Sequence, residues 1–121
     1  MAHVLIIDDS PTEQAGLSQM LQKHGHICSF ANTGELGIAA AKKSKPDVIL
    51  MDVVMPETNG FQATRKITKD PDTAHIPVII VSTKNQTTDK MWGMRQGASE
   101  YLTKPVVEAD LIPALNKVLA K

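Results

Sequence analysis

Val48-Ile49-Leu50-Met51, followed at once by Asp52, decides how this chain folds. Apolar residues in an unbroken run do not alternate with polar ones, so both faces of the segment call for burial. A strand of that kind belongs inside a parallel sheet with helices on both sides. The carboxylate then marks the strand's carboxyl end. Val4-Leu5-Ile6-Ile7 repeats the pattern and runs into Asp8-Asp9. So does Val78-Ile79-Ile80-Val81, which starts right after Pro77 and runs into Ser82-Thr83.

Helical signals fill the intervals. Ser10-Pro11-Thr12-Glu13 spells a capping box with proline at the first helical position, Leu17, Met20 and Leu21 follow at helical spacing, and Gly25 stops the run. His26 to Phe30 reads as a second strand. Leu36, Ala39, Ala40 and Lys43 outline a second helix whose lysine-rich end suits the negative pole of its dipole. Asn59 can cap a third helix through about Lys69, where Asp70-Pro71-Asp72 breaks it. A fourth is expected from Gln86 to Gln96, with Gly97 as its end, and a short strand over Glu100 to Leu102 leads to Lys104-Pro105. Leu111, Leu115 and Val118 define the apolar stripe of a last helix. Pro113 interrupts it, so that helix is expected to start late or to bend. Strands alternating with helices argue for a parallel sheet covered on both faces.

The bulk properties set bounds. At 121 residues, 42% of them hydrophobic and 21% charged, the chain reads as one globular domain over 1–121, with no output domain. Thirteen basic and thirteen acidic side chains cancel, so no global field recruits nucleic acid or an anionic membrane. No apolar segment approaches the ~20 residues that span a bilayer, and the N-terminus has no signal-peptide pattern, so no membrane insertion and a cytoplasmic location are expected. The lone Cys28 cannot form an intramolecular disulfide.

In an open parallel sheet, ligands bind beyond the carboxyl ends of the strands. The polar residues of interest fall there: Asp8 and Asp9 after the first strand, Asp52 after the third, Ser82 and Thr83 after the fourth, Lys104 after the fifth. Taken singly, each is an ordinary cap or loop residue; together they make a site. Carboxylates gathered in one pocket repel by about 4 kcal/mol per pair at ~4 Å and an effective dielectric of 20. A cation is therefore expected. Oxygen donors favour Mg²⁺, with Mn²⁺ able to replace it, and without a converging His or Cys set zinc and copper are not expected. His24 and His26 read as surface residues near a turn. A carboxylate can attack phosphorus to give an aspartyl phosphate, and phosphoryl transfer needs mainly positioning and charge neutralisation. Asp52, a divalent ion, Lys104 and the Ser82 hydroxyl supply one group of each kind.

Asp8-Asp9-Ser10, Asp52 with Met55-Pro56 and Gly60, Ser82, and Tyr101 with Lys104-Pro105 resemble the receiver domain of bacterial two-component response regulators over nearly the full chain. The resemblance implies a flavodoxin-like (CheY-like) doubly wound α/β fold, with five parallel strands in the order 2-1-3-4-5 and five helices. It implies that Asp52 is phosphorylated by a histidine kinase of the chemotaxis type. Asp9, Asp52 and the Val54 carbonyl would hold Mg²⁺ and Asp8 would do so through water, while Lys104 would contact the phosphoryl group from beside a cis bond to Pro105. Ser82 and Tyr101 would form the switch, Ser82 moving toward the phosphoryl group and Tyr101 turning inward. Slow Mg²⁺-dependent self-phosphorylation and self-dephosphorylation would accompany this without making the protein an enzyme, and Val54 and Lys84 would flank the path of the attacking water.

The segments Thr88-Asp89-Lys90, Trp92-Gly93, Arg95-Gln96-Gly97-Ala98 and Asn59 to Arg65 further resemble the family's regulators of type IV pilus twitching motility. A monomer is expected, acting on a protein target through the last helices and strand, or draining phosphoryl groups as a sink. The alternative within the family is a chemotaxis-type receiver with another output. Outside it, a flavin-binding electron carrier would want more aromatic residues than Phe30, Phe61, Trp92 and Tyr101, and would not place Asp8 and Asp9 at the phosphate turn. An aspartyl-nucleophile phosphatase would want an acid two residues after Asp52, where Val54 stands.

Overall fold

The alternation expected above is realised as β1 (His3–Ile7), α1 (Pro11–Lys23), β2 (Ile27–Ala31), α2 (Gly34–Ser44), β3 (Val48–Met51), α3 (Gly60–Lys69), β4 (Val78–Ser82), α4 (Thr87–Arg95), β5 (Glu100–Thr103) and α5 (Glu108–Leu119). These elements come from a computed structural model that describes residues 1–56 and 59–120. All strand pairs are parallel and the sheet order is β2-β1-β3-β4-β5. The order and the doubly wound α/β class are those expected.

Successive residues of the unbroken apolar strands go to opposite faces. Val4, Ile6, Val48, Leu50, Ile79 and Val81 form one core with Leu17 and Leu21 of α1 and Leu111, Leu115 and Val118 of α5. Leu5, Ile7, Ile49, Met51 and Val78 form the other with Ala41 of α2 and Ala63 and Ile67 of α3. Every residue of β1 from Val4 and of β3 is buried, and each fully buried aliphatic side chain contributes about 1.5–3 kcal/mol. A smaller cluster, Val53, Phe61, Ile80 and Ala98, takes the ring of Tyr101 against its side.

Four expectations need correcting. The second strand is shifted by one residue, because the register pairs His3 with Ile27. Helix α2 buries Gly34, Gly37 and Ala41 instead of the face through Leu36 and Ala39, and Leu36 is 57% exposed. The cause is close packing: a Cβ on Gly37 would lie 2.3 Å from Ile7 Cδ1, so the helix meets β1 through its glycine. Of the two outcomes expected from Pro113, a late start of α5 is not the one found. The helix begins at Glu108 and carries Pro113 within it, which is tolerable because Pro113 and Ala109, whose carbonyl loses the Pro113 partner, are both exposed to water. His26, finally, is half-buried, its Nδ1 accepting the Ala2 N–H at 3.1 Å, whereas His24 is exposed as expected and meets Glu108 at 3.2 Å.

Candidate functional site

Asp8, Asp52 and Lys104 each stand one residue past a strand end, and one further ladder-like bond pins each of them. Asp8 N–H donates to Ala31 O at 3.0 Å, Asp52 N–H to Ile7 O at 2.9 Å, and Lys104 N–H to Ser82 O at 2.8 Å. The sheet thereby sets the spacing of the side chains above it. Asp8, Asp9 and Asp52 each offer a carboxylate oxygen, and these oxygens lie within 4.8 Å of one another. Asp8 and Asp52 are buried and Asp9 is exposed at the rim. Lys104 Nζ sits between the buried pair, 2.9 Å from Asp8 Oδ2 and 3.4 Å from Asp52 Oδ1. The Lys104–Pro105 peptide is cis.

The electrostatics follow from this arrangement. Burial pushes the Asp52 carboxyl up to about 6; the Lys104 charge draws it back and the Asp8 charge pushes it further. For Lys104 burial acts to lower the ammonium, but the hydrogen bond to Asp8 and the charges of Asp52, Asp8 and Glu13 outweigh it and the net shift is upward. Lys104 thus compensates two carboxylates at once. Its loss would leave like charges buried together, the costly half of a broken buried ion pair.

The loops are held by further groups, among them Gln14, which the sequence reading did not single out. Ser10 N–H donates to Asp8 Oδ1 at 2.9 Å, and the Gln14 amide donates to the Asp8 carbonyl at 2.7 Å. Gln14 shows no pattern of its own in the sequence; only the turn of α1 brings it back over Asp8. On the far side, α3 is capped by Asn59, whose side chain accepts the Phe61 N–H at 2.8 Å. Gly60 lets that helix approach the end of β3: a Cβ there would be 2.1 Å from the Asp52 carbonyl oxygen and 2.6 Å from Val53 Cα. Val54 is 55% exposed beside the pocket and bridges to Asn59.

Ser82 is fully buried, and its Oγ accepts the Lys84 N–H at 3.0 Å. The Tyr101 hydroxyl donates to the Lys84 carbonyl at 2.7 Å. Burial raises the Tyr101 phenol above its usual value, the nearby Ser82 hydroxyl draws it back, and the Asp89 charge adds to the rise. The two residues named as a switch therefore meet through the Lys84 backbone. Of the sequence-derived candidates, Asp8, Asp9, Asp52 and Lys104 converge on one pocket, and Ser82 and Tyr101 converge on its neighbour.

The donor set suits a hard divalent cation: carboxylate oxygens of three residues, close together, with a lysine meeting one oxygen each of Asp8 and Asp52. A doubly wound sheet with an acidic pocket at its strand ends, one lysine across it and a hydroxyl beside it defines a phospho-switch receiver. The chain belongs to the response regulator receiver domain family, whose model matches residues 4–116. Over 120 residues, 99% of each chain, it is 61% identical to protein PilH of Pseudomonas aeruginosa. It spans only about a quarter to a half of longer response regulators that it also matches. Among solved structures, chemotaxis protein CheY4 of Vibrio cholerae superposes with a TM-score of 0.91 at 32% identity, covering 98% of this chain and 99% of that one. The receiver domain of a sensor histidine kinase from Pseudomonas aeruginosa PAO1 superposes with a TM-score of 0.90 at 26% identity, covering 99% of this chain and 98% of the other; it is described with a magnesium ion coordinated in its active site cleft. Receivers work with histidine kinases and downstream targets, bind Mg²⁺ in this acidic site, and are switches rather than enzymes. Among the described residues, no helix is long and apolar enough to cross a membrane.

Proposed function

We propose that this chain is a single-domain response regulator whose phosphoacceptor is Asp52. An Asp52 carboxylate oxygen attacks the phosphorus of a kinase phosphohistidine; the O–P bond forms, the P–N bond breaks, and the imidazole leaves and takes up a proton. Asp9, Asp52 and the Val54 carbonyl would hold Mg²⁺, or Mn²⁺ in its place, with Asp8 as an outer partner. The ion supplies charge neutralisation when bound. Lys104 moves from its carboxylate partners to a phosphoryl oxygen, the Ser82 hydroxyl takes another, and Tyr101 reports the change to α4 and β5. Water admitted past Val54 and Lys84 later attacks phosphorus and regenerates the carboxylate, and small phosphodonors load the site slowly without a kinase. The observation that carries this reading is Lys104 Nζ held against both Asp8 and Asp52 at the strand-end rim.

The proposed setting is cytoplasmic control of type IV pilus twitching motility, as a monomer served by a kinase of the chemotaxis type. Its output is binding of a protein partner through α4, β5 and α5, or removal of phosphoryl groups from a shared kinase. End-to-end identity of 61% to PilH supports that setting over a general chemotaxis role. Incubation with Mg²⁺ and labelled acetyl phosphate is expected to give an acid-stable, base-labile label on the wild type and none on Asp52→Asn. Equal labelling of both proteins would overturn the assignment.

A further inference from the structure

A cleft of about 440 Å³ opens between the carboxyl ends of α3 and α4, within the ~300–1,000 Å³ usual for small-molecule sites. Pro77 and Ser99, the residues just before β4 and β5, lie in its wall. It therefore sits at the amino ends of the strands, across the sheet from the acidic pocket at their carboxyl ends. Lys69 from the last turn of α3, Arg95 from the last turn of α4 and His75 from the connection to β4 bring basic side chains to it, and among the described residues no acid lines it. The acids nearest in sequence are engaged elsewhere. Asp70 holds Lys42 of α2 at 3.0 Å and accepts the Asp72 N–H, the Asp72 charge adds to the field on Lys42, and Glu100 meets Lys117 of α5 at 3.3 Å. Among the described residues, the side chains of Lys69, His75 and Arg95 have no ion pair and no hydrogen bond. Each helix end opposes them with about half a negative charge, less than the full charge that Lys69 or Arg95 brings to the same rim. The cleft is thus positive in a chain whose formal net charge is zero.

The same wall holds a buried amide. Gln96 is 4% exposed, its Nε2 donates to the Trp92 carbonyl at 3.3 Å, and its backbone carbonyl takes the Thr68 hydroxyl at 2.7 Å, which ties α3 to the end of α4. An amide nitrogen carries two donor hydrogens, so one is left for a ligand. Ile76 and Pro77 add apolar surface beside these groups. We propose that this cleft is a second binding site, which takes the phosphate group of a small molecule without the help of Asp52. Phosphate offers acceptor oxygens only and about two negative charges at neutral pH. The fork of Arg95 matches two of those oxygens, and Lys69 and Gln96 supply donors for the others. A carboxylate, with two oxygens and one charge, would leave donors and positive charge unused. The acidic pocket calls for a divalent ion before it can hold a phosphoryl group, whereas this cleft calls for none, so metal separates the two sites. The proposal stands apart from the phosphoacceptor reading and does not need it.

The test is calorimetric titration of the full chain with inorganic pyrophosphate and with AMP, in EDTA and low salt, with adenosine as the uncharged control. At least one of the two phosphates is expected to bind and adenosine is not. Asp52→Asn is expected to bind as the wild type does. Lys69→Gln combined with Arg95→Gln is expected to weaken binding about tenfold or more, since each removes a charge-assisted bond. Both side chains are exposed, so the fold is expected to persist in that variant. Lys43→Gln combined with Lys66→Gln removes the same charge away from the cleft and is expected to cost little. Pyrophosphate bound as tightly as AMP supports the site as one for phosphate alone; tighter AMP supports a nucleotide whose body rests on Ile76 and Pro77. Absence of binding up to about 10 mM of either probe overturns the proposal. So does binding that Asp52→Asn abolishes, that adenosine matches, or that the two double variants weaken equally, the last by showing a diffuse field instead of a site.

Discussion

At Asp52, burial and attraction act against each other. The carboxyl is raised from the ordinary value of 3.8 to about 6 because removal from water outweighs the help of Lys104. A group raised on folding contributes stability that is fully present below its unfolded value and is lost as pH rises through its folded value. Above pH 6, then, the metal-free protein carries an ionised Asp52 at a cost, which it sheds on acidification between about pH 6 and pH 4. Asp52→Asn is expected to stabilise the metal-free protein at pH 7.5 by about 1–2 kcal/mol, reduced from the full linkage value by screening at the open rim. The gain should fade toward pH 4, as chemical denaturation at several pH values would show; a gain independent of pH would contradict it. Asp52, its acidic neighbours and the lysine were legible as one cluster because each follows a strand in sequence and strand ends share one edge. Gln14 and the anchoring role of the Lys84 backbone were not, because they act through a turn's return and through main-chain groups, neither of which leaves a residue-type signature. The pairing of Ser82 with Tyr101 through Lys84 likewise needed coordinates.

Among the elements, reading was sound wherever large apolar side chains carry the buried face, as in α1 with Leu17 and Leu21 and α5 with Leu111, Leu115 and Val118. It failed in α2, where Gly37 and Ala41 do that work and hydrophobic counting favours Leu36, which points to solvent. Glycine has no apolar mass to count, yet it sets how near a helix can come. Helix α5 shows the converse: a strong negative signal, Pro113, is overridden because the apolar stripe on either side stays in register on the core. That override is incomplete in energy, since the proline removes a helical hydrogen bond at an exposed position. Pro113→Ala is therefore expected to stabilise the protein by about 1–2 kcal/mol, part of the ~3 kcal/mol propensity gap, and to leave Asp52 labelling unchanged. Differential scanning calorimetry measures the first and the acetyl phosphate assay the second. An unaltered or lower Tm would mean that the proline is needed to shape the β5–α5 connection.

For the molecule as a whole, alternation along the chain was readable while lateral order was not, because Val4–Ile7, Val48–Met51 and Val78–Val81 are alike in having no polar face to give their neighbours away. The order 2-1-3-4-5 matters to function, because it sets β1 beside β3 and so Asp8 beside Asp52. Folding thus assembles a charge cluster that Lys104 helps to compensate in the metal-free protein, and a divalent cation that binds the folded pocket stabilises the whole fold by mass action. At 100 times its dissociation constant, Mg²⁺ is expected to contribute about 2.7 kcal/mol, a rise in Tm of roughly 8–15 °C for a chain of this size. Protons compete for the same carboxylate. With Asp52 titrating near 6, the Mg²⁺ effect at a fixed concentration should shrink as pH falls from 7.5 to 5. Asp52→Asn should lose most of it at either pH, because a neutral amide replaces a charged ligand. Melting curves with and without Mg²⁺ at pH 5 and 7.5 decide the matter: equal shifts at both values would show that the ion acts somewhere other than the pocket closed by Asp8, Asp9 and Asp52.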